Sequence, residues 1–367
     1  MFVTIYNDMI QIQQIQVLQP QESCSMVSII GIITAVYVLR EYVFRITMAS
    51  MWYETSWNSV WDTWWHYKEG VIGGPSHWGH TAYMAYAEDV WPACHRGKLQ
   101  SPISVSLVNL TYDPTLGFLN IVGKDEQIDL EIINSGQDLR MEISHLSPTV
   151  MLTGGPLSYE YKIFGALLKF GAKSERGSDH LIDGVAFPAE FQFYAFNFVL
   201  YSNFSSAVSR PHGLAALSVF MQIGENPSED LSALLTTAEE VQLKGQSRKL
   251  SGLVVSALLP STKQYMTYEG SIPFPACHET VTWIILNQAI TVTEEQLKAL
   301  RELRITSIPE SGRMADNFRQ PQDLNGRSVR TNIFFAERDK FCSPHPRLSY
   351  TVALNQERDQ RWRVPDP

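Results

Sequence analysis

The sequence predicts a sheet-rich fold of the α+β class. Nineteen prolines and 22 glycines are spread along the chain, and these residues end helices and form turns. From Ser101 onward, short apolar or alternating runs are separated by turn signals, which is typical of strands. With 367 residues, of which 44% are hydrophobic, the chain is long enough for one large globular core with extensions.

Four runs read as strands and two stretches read as helices. The predicted strands are Gln127–Ile133, Gly213–Ile223, Leu250–Ala257 and Thr280–Leu286. The predicted helices are Ser228–Leu243 and Thr293–Arg304. Gln296 follows Thr293 by three residues, the spacing of a capping box, so the second helix should begin there.

Residues 1–49 are predicted to be a leader or signal region. The apolar run Met26–Leu39 has 14 residues, too few to span a bilayer comfortably as a straight helix, and Thr47-Met48-Ala49 is a passable cleavage site. The charges around the run fit a signal peptide badly, because Arg40 follows it and no Lys or Arg precedes it. A retained membrane anchor, or a leader with no targeting role in a partly wrong gene model, are the alternatives.

Residues 50–340 are predicted to form the domain, and residues 341–367 a polar C-terminal tail. The formal net charge of −9 argues against nucleic acid or an anionic membrane as the main partner. The sequons Asn109-Leu110-Thr111 and Asn203-Phe204-Ser205 are candidate glycosylation sites and fit an exported protein.

Aromatic residues concentrate before the predicted sheet. Seven of the nine tryptophans lie between Trp52 and Trp91, and four of them, Trp57, Trp61, Trp64 and Trp65, have helix-like spacing. We expect this cluster to pin an N-terminal arm to the domain; a platform for stacking a ligand is the alternative.

Six strings stand in a fixed order along the chain. They are Gly74-Pro75-Ser76-His77-Trp78, Gln100-Ser101-Pro102-Ile103, Gly177-Ser178-Asp179-His180, Phe187-Pro188-Ala189-Glu190, Tyr268–Trp283 and Asn317-Phe318-Arg319-Gln320-Pro321. Together they resemble the motifs of the α-type carbonic anhydrases, from about Trp64 to about Phe335. The resemblance implies a large, twisted, mostly antiparallel ten-stranded sheet with short peripheral helices. It also implies a conical cleft in which active members hold Zn²⁺ with three histidines and generate hydroxide that attacks CO₂.

The resemblance places the three zinc-ligand positions at Leu167, Lys169 and Gln192. Leucine has no lone pair, and a lysine ammonium carries three donors and repels the ion. A carboxamide oxygen is a poor zinc ligand compared with imidazole. We therefore expect no zinc, no other cofactor, and a pseudoenzyme without catalytic residues.

Other positions of the implied cleft are also changed. The threonine that orients zinc-bound hydroxide is replaced by Pro273, its glutamate partner by Asp179, and the proton-shuttle histidine by Gln137. Tyr194 and Phe274 are expected to fill part of the cleft.

Lys169 should point into the space that zinc occupies in active relatives. A buried ammonium needs a partner, and Asp179 and Glu190 are the predicted carboxylates. The alternative is that Lys169 reaches the cleft mouth and stays solvated.

The chain has four cysteines, and the resemblance implies a disulfide between Cys94 and Cys277. Cys24 lies in or before the leader. Cys342 is then left over on the tail, where it is either an inert exposed thiol or a candidate partner thiol.

The pattern of substitutions resembles the secreted carbonic anhydrase-related proteins of the ten/eleven branch, with an invertebrate-like stretch around Cys277. This resemblance implies a non-catalytic protein that binds a neurexin-type neuronal surface protein, without membrane insertion of the mature domain. An apparent insertion within His80–Pro92 departs from the branch. The alternatives are a residual zinc-dependent carbonate dehydratase or esterase, and a small-molecule sensor that uses the metal-free cleft.

Overall fold

The computed structural model describes residues 65–79 and 91–334, and a large mixed sheet dominates them. The strands are β1 (Ser104–Val105), β2 (Thr111–Tyr112), β3 (Leu119–Val122), β4 (Gln127–Asn134), β5 (Leu139–Ile143), β6 (Met151–Gly154), β7 (Tyr161–Phe170), β8 (Leu181–Ile182), β9 (Ala189–Asn197), β10 (Leu214–Ile223), β11 (Ser247–Val254), β12 (Tyr265–Gly270), β13 (Val281–Leu286), β14 (Ile290–Val292) and β15 (Arg330–Thr331). The α-helices are α1 (Ala93–Arg96), α2 (Phe204–Ala207), α3 (Glu229–Glu239) and α4 (Glu294–Leu300). Short 3₁₀ turns cover Pro75–His77, Leu107–Asn109 and Val255–Leu258.

Ten strands form the central path of the sheet. Their order is β11-β4-β5-β7-β9-β10-β13-β12-β15-β2, and β3, β6 and β14 pair beside this path. Neighbours from β11 to β10 are antiparallel, whereas β10–β13 and β15–β2 are parallel pairs. The predicted mostly β fold with short peripheral helices is confirmed.

The predicted strands coincide with β4, β10, β11 and β13, with shifts of at most three residues at their ends. The second predicted helix begins as expected, because Thr293 and Gln296 form a capping box at the start of α4, but it ends at Leu300 rather than Arg304. The first predicted helix ends four residues early, at Glu239 rather than Leu243. The Asn134 side chain donates to the carbonyls of Val241 and Gln242, so the chain after α3 is turned onto the sheet instead of continuing the helix.

Two apolar cores lie on opposite faces of the sheet, because side chains alternate along each strand. Leu168 of β7 and Phe191 of β9 belong to the helix-side core, which also includes Leu234 of α3. Leu167 and Tyr194 point the other way, into what we call the cleft-side core. The candidate site lies in the cleft-side core.

Several predictions concern residues outside the described ranges. These are the leader at 1–49, the tail at 341–367, most of the insertion His80–Pro92, and the residues Cys24, Cys342, Trp57, Trp61 and Trp64. No helix in the described ranges is long and apolar enough to span a membrane.

The predicted disulfide between Cys94 and Cys277 is confirmed. It joins α1 to the segment that precedes β13, across 183 residues of sequence. A cross-link over so long a loop removes much of the freedom of the unfolded chain, worth about 5 kcal/mol in the chain-entropy treatment.

We expect the double substitution Cys94→Ala and Cys277→Ala to lower the free energy of unfolding by about 2–5 kcal/mol, measured by denaturant titration. Cys342→Ser is the matched control, since it removes a cysteine outside the bridge and should change little. A loss below about 0.5 kcal/mol in the double variant would show that the bridge adds nothing to stability.

Candidate functional site

Two neighbouring strands bring together the positions at which the resemblance places the zinc ligands. Leu167 and Lys169 are two apart on β7 and so share one face. In the antiparallel register Leu167 faces Gln192 and Lys169 faces Glu190 across β9. All four side chains are fully buried, so their polar atoms require partners inside the protein.

Lys169 forms a buried ion pair with Asp138, which lies in the turn between β4 and β5. Its Nζ donates to Asp138 Oδ1 at 2.8 Å and to the Tyr67 hydroxyl at 2.6 Å, and it lies 4.4 Å from the centre of the Tyr67 ring. The predicted partners Asp179 and Glu190 are therefore wrong: in the described part of the chain the ion pair is made with Asp138. The alternative, a solvated Lys169 at the cleft mouth, is also wrong, because the side chain has no exposed surface.

The turn between β4 and β5 explains why Asp138 is the partner. Leu139 faces Leu168 across the β5–β7 pair, so continuing the antiparallel register by one residue brings Asp138 beside Lys169. Ser135 Oγ accepts a hydrogen bond from the backbone N–H of Asp138 at 2.9 Å. Gly136 has a φ of +86°, which a glycine adopts without strain.

Asp138 lies where three donors converge. Oδ1 accepts from Lys169 and from Asn317 Nδ2 at 2.9 Å, and Oδ2 accepts from the Tyr67 hydroxyl at 2.6 Å. Burial raises the pKa of the Asp138 carboxyl, and the charge of Lys169 with these hydrogen bonds offsets part of that rise. An acceptor surrounded by donors is the arrangement that a buried carboxylate needs.

The two predicted partner carboxylates are occupied elsewhere. Glu190 accepts from the backbone N–H of His180 at 2.9 Å, from Ser218 Oγ at 2.8 Å and from Gln192 Nε2 at 2.9 Å, and its Oε1 is 2.8 Å from His180 Nδ1. Asp179 accepts from the backbone N–H of Arg319 at 2.7 Å and from Gln192 Nε2 at 2.8 Å.

These surroundings set opposite pKa shifts. Burial raises the pKa of Asp179 to about 6; the charge of Lys169 opposes this rise, and the nearby Glu190 adds to it. Burial also acts to raise the pKa of Glu190, but the charge and hydrogen bonds of His180 outweigh it and lower that pKa.

Both ends of the Gln192 amide are engaged inside the protein. Its Nε2 donates to both carboxylates, and its Oε1 accepts from the Tyr194 hydroxyl at 2.8 Å. With an aliphatic side chain at Leu167 and a paired ammonium at Lys169, the residues at the three ligand positions do not fit Zn²⁺. In the described ranges, no group of three His, Cys, Asp or Glu side chains is arranged to hold an ion.

The remaining predicted positions line the same face. Pro273 and Phe274 are buried, and a proline at position 273 supplies neither a hydroxyl nor a backbone N–H. Tyr194 packs edge-on against Phe274 and Trp283, with ring centres 6.1 and 6.0 Å apart. Gln137 is largely buried in the β4–β5 turn, and its amide does not titrate near pH 7.

An N-terminal arm, residues 65–79, closes against this face. Trp65, Tyr67 and Trp78 pack edge-to-face, with ring centres 5.1 to 5.7 Å apart. Tyr67 is bound by Lys169, and Trp78 lies 5.3 Å from the buried Arg319 guanidinium. For the described part of the aromatic cluster, the structural role expected from the sequence is confirmed.

Sequence reasoning missed Tyr67, Asp138 and Asn317. The sequence feature that could have identified Asp138 is its position directly after Gln137 and directly before β5, the strand next to β7. Tyr67 lies 102 positions from Lys169, and Asn317 lies 179 positions from Asp138, to which its side chain donates. Asn317 belongs to one of the six motif strings, but which residue it contacts depends on the tertiary fold.

We expect Lys169→Met to lower the free energy of unfolding by about 3–5 kcal/mol, because it leaves Asp138 buried without its cation. Adding Asp138→Asn should recover at least about 1 kcal/mol, since the double variant buries no charge at this pair. Denaturant titration of both single variants and the double variant measures this coupling.

The exposed ion pair between Arg248 and Glu240 is the matched control, with side chains 50 and 59% exposed. Arg248→Met should cost less than about 1 kcal/mol. If the losses in free energy of unfolding from Lys169→Met and Asp138→Asn simply add in the double variant, the ion pair is contradicted.

The comparisons with known proteins agree with this geometry. A family model described as eukaryotic-type carbonic anhydrase matches residues 73–333. The putative carbonic anhydrase-like protein 2 of Caenorhabditis elegans is 41% identical over 267 residues, which are 71% of this chain and 77% of that protein. The putative carbonic anhydrase-like protein 1 of the same organism is 33% identical over 333 residues, with 73% of this chain and 90% of that protein covered. The chain belongs to the eukaryotic-type carbonic anhydrase family.

Proposed function

We propose that this chain is a secreted, non-catalytic carbonic anhydrase-related protein that binds no zinc and acts by binding another protein. The observation that carries the proposal is the buried ion pair of Lys169 with Asp138. Lys169 carries a positive charge at a position where, by the resemblance, active members have an electron-pair donor for the metal ion, and this supports the proposal.

The rest of the former reaction site supports the same proposal. Pro273 lacks the hydroxyl that would orient a nucleophile, and Gln137 cannot carry a proton near neutral pH. Tyr194 and Phe274 fill space with fully buried rings. The disulfide between Cys94 and Cys277 fits folding in an oxidising compartment, which supports export.

We expect the purified protein, produced by secretion in zinc-supplemented medium, to contain less than about 0.1 zinc per chain. Elemental analysis measures the metal, and stopped-flow CO₂ hydration should stay at the uncatalysed rate. Stoichiometric zinc together with inhibitor-sensitive hydration would instead establish the alternative, a residual carbonate dehydratase or esterase.

A variant with histidines restored is the matched control. Leu167→His, Lys169→His and Gln192→His rebuild three imidazoles on one face of β7 and β9, and Asp138→Asn removes the carboxylate that would lose its partner. This variant should take up zinc in the same medium. It should still hydrate CO₂ slowly, because Pro273 remains.

We propose a neurexin-type cell-surface protein as the partner, on the resemblance of the substitution pattern to the ten/eleven branch. Secreted full-length chain should bind immobilised neurexin ectodomain saturably in a label-free assay. Absence of binding would reject this partner class. A non-reducing gel of the complex, comparing wild type with Cys342→Ser, tests the candidate partner thiol: a covalent complex that only the wild type forms would support it.

A further inference from the structure

An exposed apolar loop and a glycosylation sequon share one short stretch of chain after β9. Phe198, Val199 and Leu200 are 51, 58 and 47% exposed. The sequon Asn203-Phe204-Ser205 begins three residues after Leu200. Three consecutive exposed apolar side chains form a candidate contact surface.

The loop holds these side chains in a fixed position. Asn197 Oδ1 accepts from the backbone N–H groups of Val199 and Leu200 at 3.1 and 3.0 Å. The Tyr201 hydroxyl donates to the Pro211 carbonyl at 2.9 Å. These hydrogen bonds hold the loop in the conformation that exposes its apolar side chains.

The side chain of Asn203 is arranged so that its nitrogen can be modified without loss of structure. Asn203 caps the N-terminus of α2, where its Oδ1 accepts from the backbone N–H of Ser206 at 2.9 Å. Its Nδ2 makes a long hydrogen bond of 3.4 Å to the exposed Ser202 hydroxyl. An N-glycan is attached through Nδ2 and leaves Oδ1 free to accept, so the cap survives the modification.

Tyr201 lies two residues before Asn203 and is partly exposed. The three residues from Leu200 to Asn203 span at most about 11 Å of chain, which is within reach of the first sugars of a glycan. The C–H faces of those sugars are apolar and suit contact with aromatic and aliphatic side chains.

We infer that an N-linked glycan on Asn203 packs on Tyr201 and covers the apolar loop Phe198–Leu200. The inference rests on the proposed export, because the donor is a polyprenyl-diphosphate-linked oligosaccharide of the secretory pathway. The bond from Asn203 Nδ2 to sugar C1 forms, the bond from C1 to the diphosphate oxygen breaks, and the amide loses one proton as the polyprenyl diphosphate leaves. The occupant of this apolar surface is thus a glycan covalently attached to the same chain.

Ser205→Ala tests the inference without disturbing the cap, because Ser205 is exposed and Asn203 is retained. Wild type and variant are secreted from animal cells, and intact mass before and after peptide N-glycosidase reports the glycan. Relative to wild type, Ser205→Ala should lack one glycan, have a Tm lower by about 2 °C and bind more of an apolar-surface dye. Ser205→Thr keeps the sequon and should match the wild type. Wild type and Ser205→Ala made in bacteria carry no glycan, so these two proteins should have equal Tm.

Contact with the loop is tested by Phe198→Ser combined with Leu200→Ser. In this background, Ser205→Ala should lower the Tm by less than half as much as in the wild-type background. An equal effect in both backgrounds would overturn the packing of the glycan on the loop. An unmodified Asn203 would overturn the whole inference.

Thr111→Ala removes only the sequon at Asn109, so the mass that it loses reports whether Asn109 carries a glycan. This variant distinguishes an unmodified Asn203 in an exported chain from a failure of export. If Asn109 carries a glycan and Asn203 does not, the inference fails while export stands. If the chain is not secreted and neither asparagine is modified, both fail.

Discussion

The ion pair between Lys169 and Asp138 is the constraint on which the candidate site depends. An ammonium with no exposed surface is tolerated only when acceptors surround it, and here a carboxylate and a phenol oxygen do so. The same Tyr67 hydroxyl that accepts from Lys169 donates to Asp138. This charge pair, with the Tyr67 hydroxyl, thus links the β4–β5 turn, the C-terminal end of β7 and the N-terminal arm.

A second set of buried hydrogen bonds keeps the neighbouring strands in place without a metal ion. It runs from Tyr194 through Gln192 to Glu190, and from there through His180 to the Tyr268 hydroxyl and Ser101. Because buried polar groups are costly only when they lack partners, this chain of bonds satisfies the buried polar side chains on β9 and its neighbours. Gln192 is central, since an amide both donates and accepts where an imidazole ligand would have a single lone pair for zinc.

The sequence predicted the fold and the strand geometry of the site well. The ordered motifs around Gln100, Glu190 and Trp283, the period-2 placement of Leu167 and Lys169, and the capping box at Thr293 all carried local or family information that the structure bears out. The partner of Lys169 was missed because it depends on which carboxylates are already bound by other donors. Glu190 faces Lys169 across β9, but His180, Gln192 and Ser218 already bind its oxygens. Only the fold shows that Asp138 remains available.

Zinc-edge anomalous diffraction from crystals grown with excess zinc tests the central claim most directly. We expect no anomalous peak between β7 and β9, and electron density that keeps Lys169 Nζ within hydrogen-bonding distance of Asp138 and Tyr67. A tetrahedral zinc ion at this site, with Lys169 displaced from Asp138, would contradict the account.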